Sequence, residues 1–435
     1  MNLLLTILFS CAPASAVLVA QQPQPVETLH SNGKVHERFF IDAQGRKTGA
    51  YDAYRTDGTL EVHYKFEAGL LDGRAEEYFA DGRTVKSGGD YQAGLRRGTW
   101  VFVSDDQQRR QRADYKAGRL NGLVLIEVGN KVISKQRWKD DELERLDDLL
   151  AFPVGKAALR EKLSSILAAP TENPSSAKDA VEAERAAALR RLQAYRALCS
   201  LPWEGMSLVP EWNLRCEAGA EICAANGEIN HTPPKPAGFD EARYRLGYEG
   251  TSHSNLAFGS DMPGSVDFYM DDSDSTNIDR VGHRRWCLNP AMKRTGFGAS
   301  GTYSAMWSMD TSGKSVRGLD AVIYPPPGWC PTNMLAERAA FSISRLTGGE
   351  PKLEDLRIHV RALDSDWVPT KELKLDYLGV SAGGGIGSGS CIIFRPELVK
   401  VDLESRYLVE VSTDAGKSLA FRYVVAFCEA VSPAR

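Results

Sequence analysis

The stretch "GAYDAYRTDG" (residues 49–58) decides the fold of the first third of the chain, because it returns. "GRAEEYFADG" (73–82), "GTWVFVSDD" (98–106) and "GLVLIEVGN" (122–130) follow, starting at Gly73, Gly98 and Gly122. The spacing is 24, 25 and 24 residues, and "GLLDG", "GLRRG" and "GRLNG" lead into the last three units. Within a unit, aromatic or aliphatic residues alternate with polar ones and then reach an Asp-Gly-type turn, as a β-hairpin requires. A period in this range means a solenoid of stacked hairpins, each covering one face of the next. Such an array is a docking surface for a protein or lipid partner, or a rigid spacer; no residue in it nominates a ligand.

The rest of the chain is organised differently. Its 435 residues are 43% hydrophobic and 25% charged with a formal net charge of −4, which suits several globular domains and gives no reason to expect nucleic acid. Residues 1–20 open "MNLLLTILFSCAPASAVLVA", an apolar run followed by small residues, and read as a signal peptide. The expected location is therefore secreted, periplasmic or cell-surface. Cys11 within "LFSC" offers a lipid-anchor alternative. No later run approaches the roughly 18 apolar residues of a membrane span. Seven cysteines follow Cys11 without any CxxC pair, so disulfides are expected rather than a zinc ribbon. Cys391 with Cys428, and Cys287 with Cys330, are the candidate pairings.

Boundaries follow from these changes of pattern. Residues 26–138 form the hairpin domain. Residues 139–180 form a helical linker, with two amphipathic helices over 139–168 broken at Pro153 and a loop at "APTENPSSAKD" (169–179). From Val181 the positions Val181, Ala188, Leu192, Tyr195 and Cys199 share a helical face, and Leu214, Ala218, Ile222 and Ala225 mark a second helix ending at Asn226-Gly227. Met306, Trp307 and Met309 read as strand packing. After "YPPPGWCP" (324–331), the segments "IHVRAL", "CIIFRP", "RYLVEVST" and "FRYVVAF" alternate as strands, so 331–435 is expected to be an immunoglobulin-like sandwich. "GVSAGGGIGSGS" (379–390) lacks the Lys-Ser/Thr of a phosphate loop and reads as a strand connection.

Two resemblances add to this. The repeats over roughly residues 45–126 resemble bacterial MORN repeats. Between 181 and 330, "LRRLQAYRALCSLPW", "AANGEINHTPP", "SHSNLAFG", "SVDFYMDD" and "VGHRRWCLNPAMKRTGFG" occur in an order that resembles the CAP domain of cysteine-rich secretory and pathogenesis-related proteins. The resemblance implies an α-β-α sandwich with a central cleft, and hence a multidomain α+β chain. It also implies a cleft lined by two His and two carboxylates able to hold a divalent metal. By position these are His231, His283 and Asp272, while Ser254, followed by Asn255, stands where the family has Glu.

Two imidazoles and one carboxylate would suffice for zinc with water in the fourth position. His253 is an outside candidate for a further ligand. Hydrolysis would also need a base, and Glu228, three residues before His231, would share its face on a helix. The leading expectation is a binding module for a small ligand, lipid, peptide or glycan. A metal-dependent hydrolase and a structural envelope protein are the alternatives. No Gly-x-Ser-x-Gly elbow surrounds Ser304 or Ser308, which argues against a serine hydrolase.

Overall fold

The computed structural model describes residues 22–168, 176–314, 316–383, 387 and 389–432. The expected signal peptide, Cys11 and much of the stretch 169–179 lie outside them. The chain divides into two compact units, one ending at Glu142 and one beginning at Leu143.

Among the described residues, twelve strands from Gln24–Leu29 to Leu149–Leu150 form one sheet in sequence order. Neighbours are antiparallel, as hairpins demand. One cross-strand row runs Phe39, Tyr51, Tyr64, Ala75, Gly89, and continues from Trp100 through Ala113 to Val124. Bulk is balanced along the row: a Cβ on Gly89 would lie 2.4 Å from the Trp100 indole, so the largest side chain sits against the residue with none. Lys47 lies 4.0 Å from the Tyr51 ring centre and Arg96 lies 4.6 Å from that of Trp100, cation–π caps two repeats apart.

The repeat also reads out in the turns. The Gly69, Gly94 and Gly118 N–H groups donate to the carbonyls of Lys47, Leu71 and Arg96, and Asp141 N–H donates to that of Leu120. Each turn is therefore tied to the one before it. Ala68-Gly69, Ala93-Gly94 and Ala117-Gly118 all have positive φ at both positions, the geometry of a type I′ turn. Asp140 and Asp141 repeat it with φ of 50° and 71°. That substitution hid the continuation of the array. The two helices expected over 139–168 are corrected accordingly: Glu142–Leu146 and Leu149–Leu150 are strands, and only Lys156–Leu167 is helical. The Leu143, Leu146, Leu149 spacing mimics a helix, but Asp147 in the left-handed region (φ 51°) turns the chain between two short strands.

The second unit holds α1 (Lys156–Leu167), α2 (Ala177–Leu198), α3 (Pro210–Asn226), α4 (Glu241–Ser252), α5 (Met262–Asp271) and α6 (Gly282–Cys287). The α3 helix starts on Pro210 and stops at Gly227 in the left-handed conformation, as its Asn-Gly signal predicts. Its buried face differs from the expected one. Leu214 is exposed, whereas Cys216, Ala218, Ile222 and Cys223 are buried, because α3 is covered on two sides. A Cβ on Gly250 of α4 would meet the Arg215 carbonyl at 2.0 Å, and one on Gly298 would meet the Glu217 N–H at 2.1 Å. Backbones touch at both places. Val181, in the first turns of α2, is likewise exposed.

A three-stranded antiparallel sheet, ordered Ser254–Phe258, Tyr303–Trp307, Phe297–Ser300, lies against α3. All four segments read as strands after residue 331 are strands: Arg357–Leu363, Cys391–Pro396, Arg406–Ser412 and Phe421–Cys428. They belong to a four-stranded and a five-stranded sheet. One apolar cluster joins Leu192 and Tyr195 of α2, Val266 of α5, Phe341 and Phe394 of the first sheet, and Val409 and Val425 of the second. The expected boundary at 330/331 thus falls inside one compact unit, where Gly328–Pro331 pairs in parallel with Phe421–Cys428. The seven described cysteines are buried free thiols, so neither Cys391–Cys428 nor Cys287–Cys330 is bonded. Cys391 lies 3.5 Å from the Ser344 hydroxyl, and Cys287 lies 3.6 Å from the Asn255 amide.

Candidate functional site

The turn between α5 and α6 is built around an acidic residue in an unusual conformation. Asp272 ends α5 with φ 43° and ψ 32°, and Val281 precedes α6 with φ 41° and ψ 50°. Left-handed backbone is uncommon for Asp and an outlier for a β-branched residue, costing on the order of 1–3 kcal/mol at each such site. Packing holds both: Val281 is fully buried and Asp272 nearly so. The arrangement delivers Asp272 to the start of α6. Its Oδ2 accepts the His283 backbone N–H at 2.9 Å and the Arg284 N–H at 3.3 Å, while Oδ1 accepts from His283 Nδ1 at 2.8 Å.

The neighbouring arginines are struts. Arg284 bonds the Met270 and Ala340 carbonyls at 2.7 Å, and also the Asp271 carbonyl. Arg285 reaches Ser381 Oγ and the Gly389 carbonyl. Burial pushes the Arg285 guanidinium below its ordinary range. The two side chains that follow His283 therefore anchor α6, leaving the imidazole as the group turned to the opening.

His231 arrives by another route. Beyond the Gly227 stop the chain is irregular, and His231 is fastened to the end of α4 by two reciprocal bonds. Its Nδ1 lies 2.9 Å from the Thr251 carbonyl, and Thr251 Oγ1 donates to the His231 carbonyl at 3.2 Å. A carbonyl only accepts, so Nδ1 carries the proton and the neutral ring keeps its lone pair on Nε2. The same logic applies to His283, whose Nδ1 faces a carboxylate.

These two rings, 52 positions apart in sequence, line one cavity of about 320 Å³ together with Ser254, Asn255, Trp286 and Met309. Ser252, Ser308 and Arg280 complete its polar edge. Ser254 and Asn255 open the edge strand Ser254–Phe258, directly after α4. The Asn255 amide donates to the His283 carbonyl at 3.0 Å, and the buried Cys216 thiol, pushed up to about 12 by its burial, backs Ser254 at 3.5 Å. Sequence reasoning missed Trp286, Arg280 and Met309. Met309, expected as strand packing, lies beyond the end of its strand and is 42% exposed.

Other expectations are corrected. Asp272 does not line the cavity; its side chain is 1% exposed and both oxygens serve His283 and the start of α6. Glu228 is not on a helix with His231, because α3 ends at Asn226; it is exposed and accepts from the Asn230 amide. His253 stacks on the Trp307 ring at 4.8 Å, and its Nδ1 lies by the Glu249 carbonyl, outside the cavity lining.

Of the expected zinc ligands His231, His283 and Asp272, the two imidazoles face the opening and Asp272 stands behind His283, against the three protein ligands usual for zinc. Among the described residues no three His, Cys, Asp or Glu side chains gather as a metal-ligand group. No known protein-family model matches the chain, and a search of curated proteins returns no match.

Proposed function

We propose that the chain is an exported binding protein whose cleft, lined by His231, Ser254, Asn255 and His283, recognises a small hydroxyl-rich ligand such as a glycan. In this reading residues 181–330 are a CAP-like α-β-α body. The hairpin array is MORN-like and offers a protein-docking surface, and the strands after residue 331 are an immunoglobulin-like display module. One observation carries it: two imidazoles from distant segments meet on one cavity, each with Nδ1 tied to an acceptor, so that Nε2 is the accepting nitrogen of the neutral ring. Hydroxyl donors match such nitrogens, the Ser252, Ser254 and Ser308 hydroxyls add two-way partners, and the Trp286 indole supplies an apolar wall for a sugar face. With Asp272 committed to His283 and Glu228 outside the cavity, nothing among the cleft residues favours a hydrolase.

The test is a glycan-array screen of the mature protein, followed by imidazole ¹H–¹⁵N spectra with the best binder. Binding that shifts both Nε2 resonances and weakens about tenfold or more in His283→Ala and His231→Ala supports the reading. Binding indifferent to both substitutions sinks it.

A further inference from the structure

A second cavity in the unit from Leu143 onward, of about 220 Å³, is bounded by α1, the end of α2 and the strand Ala321–Tyr324. Its wall is apolar: Leu159, Ala197, Ala321, Ile323, Pro326 and Trp329 face it. Strand alternation explains two of these, since Val322 and Tyr324 turn into the core and leave Ala321 and Ile323 for the opening. Trp329 is held by stacking on Phe152, ring centres 4.4 Å apart.

Among the described residues the cavity has one charged lining residue, Lys162, a turn along α1 from Leu159. The Lys162 ammonium lies 5.7 Å from the Trp203 ring centre and, among the described residues, makes no ion pair. Among the described residues no Asp or Glu lines the cavity. Open apolar concavities of this kind mark binding sites, and an ammonium without an ion pair at the edge selects an anion.

We propose that this cavity binds a medium-chain carboxylate, with its acyl chain against Ala321, Ile323 and Trp329 and its carboxylate on Lys162. The volume is below the roughly 300 Å³ at which drug-sized sites begin, which limits the tail to about eight carbons. This site is separate from the histidine cleft and does not depend on the function proposed for it.

Calorimetric titration of the full chain with octanoate, beside 1-octanol, tests the assignment. Octanoate should bind one-to-one and more tightly than octanol. Lys162→Met should weaken octanoate about tenfold or more and leave octanol unchanged. Ala321→Phe, which fills the cavity, should remove both, and His283→Ala should change neither. Lys162 is exposed, so its replacement keeps the fold and decides the matter even where Ala321→Phe fails to fold. Absence of saturable octanoate binding, affinity no better than octanol's, indifference to Lys162→Met, or sensitivity to His283→Ala overturns the proposal.

Discussion

The hairpin array and the unit from Leu143 onward use the same kinds of contact over different sequence distances. In the array a residue meets partners within the next turn or two: Gly69 donates to Lys47, Gly94 to Leu71 and Gly118 to Arg96. In the second unit Arg196 of α2 reaches across more than ninety residues to the Cys287, Asn289 and Met292 carbonyls. The array is a chain of nearest-neighbour bonds, whose stability approximates a sum of unit and interface contributions. The cleft is a product of long-range closure. Damage should therefore be graded and local in one, and cooperative in the other.

Arg196→Met should break the comparison most forcefully. The guanidinium is fully buried, lowered to about 10 by that burial, and bonds four backbone carbonyls, with no ion pair to a carboxylate among the described residues. Removing it strands those carbonyls, and a loss of about 3–5 kcal/mol in urea unfolding is expected, confined to the transition of residues 143–435. An equal loss in the array's transition would erase the distinction. Gly89→Ala comes next, placing a methyl into the Trp100 ring. A cost of about 1–3 kcal/mol is expected, with hydrogen-exchange protection falling most in the strands Val85–Gln92 and Leu95–Val103 and little in Gln24–Leu29. Uniform loss of protection along all strands would show the array to be one cooperative block.

Asp272→Asn separates site from scaffold within the second unit. Asn tolerates the left-handed backbone and its amide oxygen still accepts an N–H, so the stability change should stay near about 1 kcal/mol. An amide cannot take both the His283 ring proton and the two backbone N–H groups as a carboxylate does. The ¹H–¹⁵N imidazole spectrum of His283 should change while that of His231 does not.

The smallest effect concerns Asp310. Burial opposes its ionisation, but the Lys293 and Arg294 N–H groups and the Ser312 hydroxyl outweigh burial and hold the carboxyl below its usual range. A depressed folded-state pKa adds stability above the unfolded value and loses it as pH falls through the folded one. The midpoint of unfolding should fall below about pH 4, and Asp310→Asn should make that fall shallower.

The array was legible because its information is local: the period, the Gly positions and the alternation all lie within 25 residues. It failed only where Asp140-Asp141 replaced Ala-Gly, since the turn depends on φ rather than on residue name. The α3 stop at Asn226-Gly227 was legible for the same reason, and so were the four strands after residue 331. The covered faces of α3 were not, because two neighbours bury it and a single-sided periodicity fails to report that. In the cleft, His231, Ser254, Asn255 and His283 were named in advance and do line one cavity. The role of Asp272 was not, because ligand and orienting carboxylates are the same residue at the same spacing.

The sequence by itself determined the hairpins that carry the 24–25-residue repeat, the stop of α3 and the four strands after residue 331, since those follow from periodicity and turn chemistry that each stretch carries alone. Only the tertiary structure decided which nitrogen each histidine presents, that Asp272 turns inward, and that Trp286, Arg280 and Met309 complete the cleft. Those outcomes depend on carbonyls, carboxylates and backbone angles contributed by residues far away in the chain, and no local pattern encodes a contact whose other half lies elsewhere.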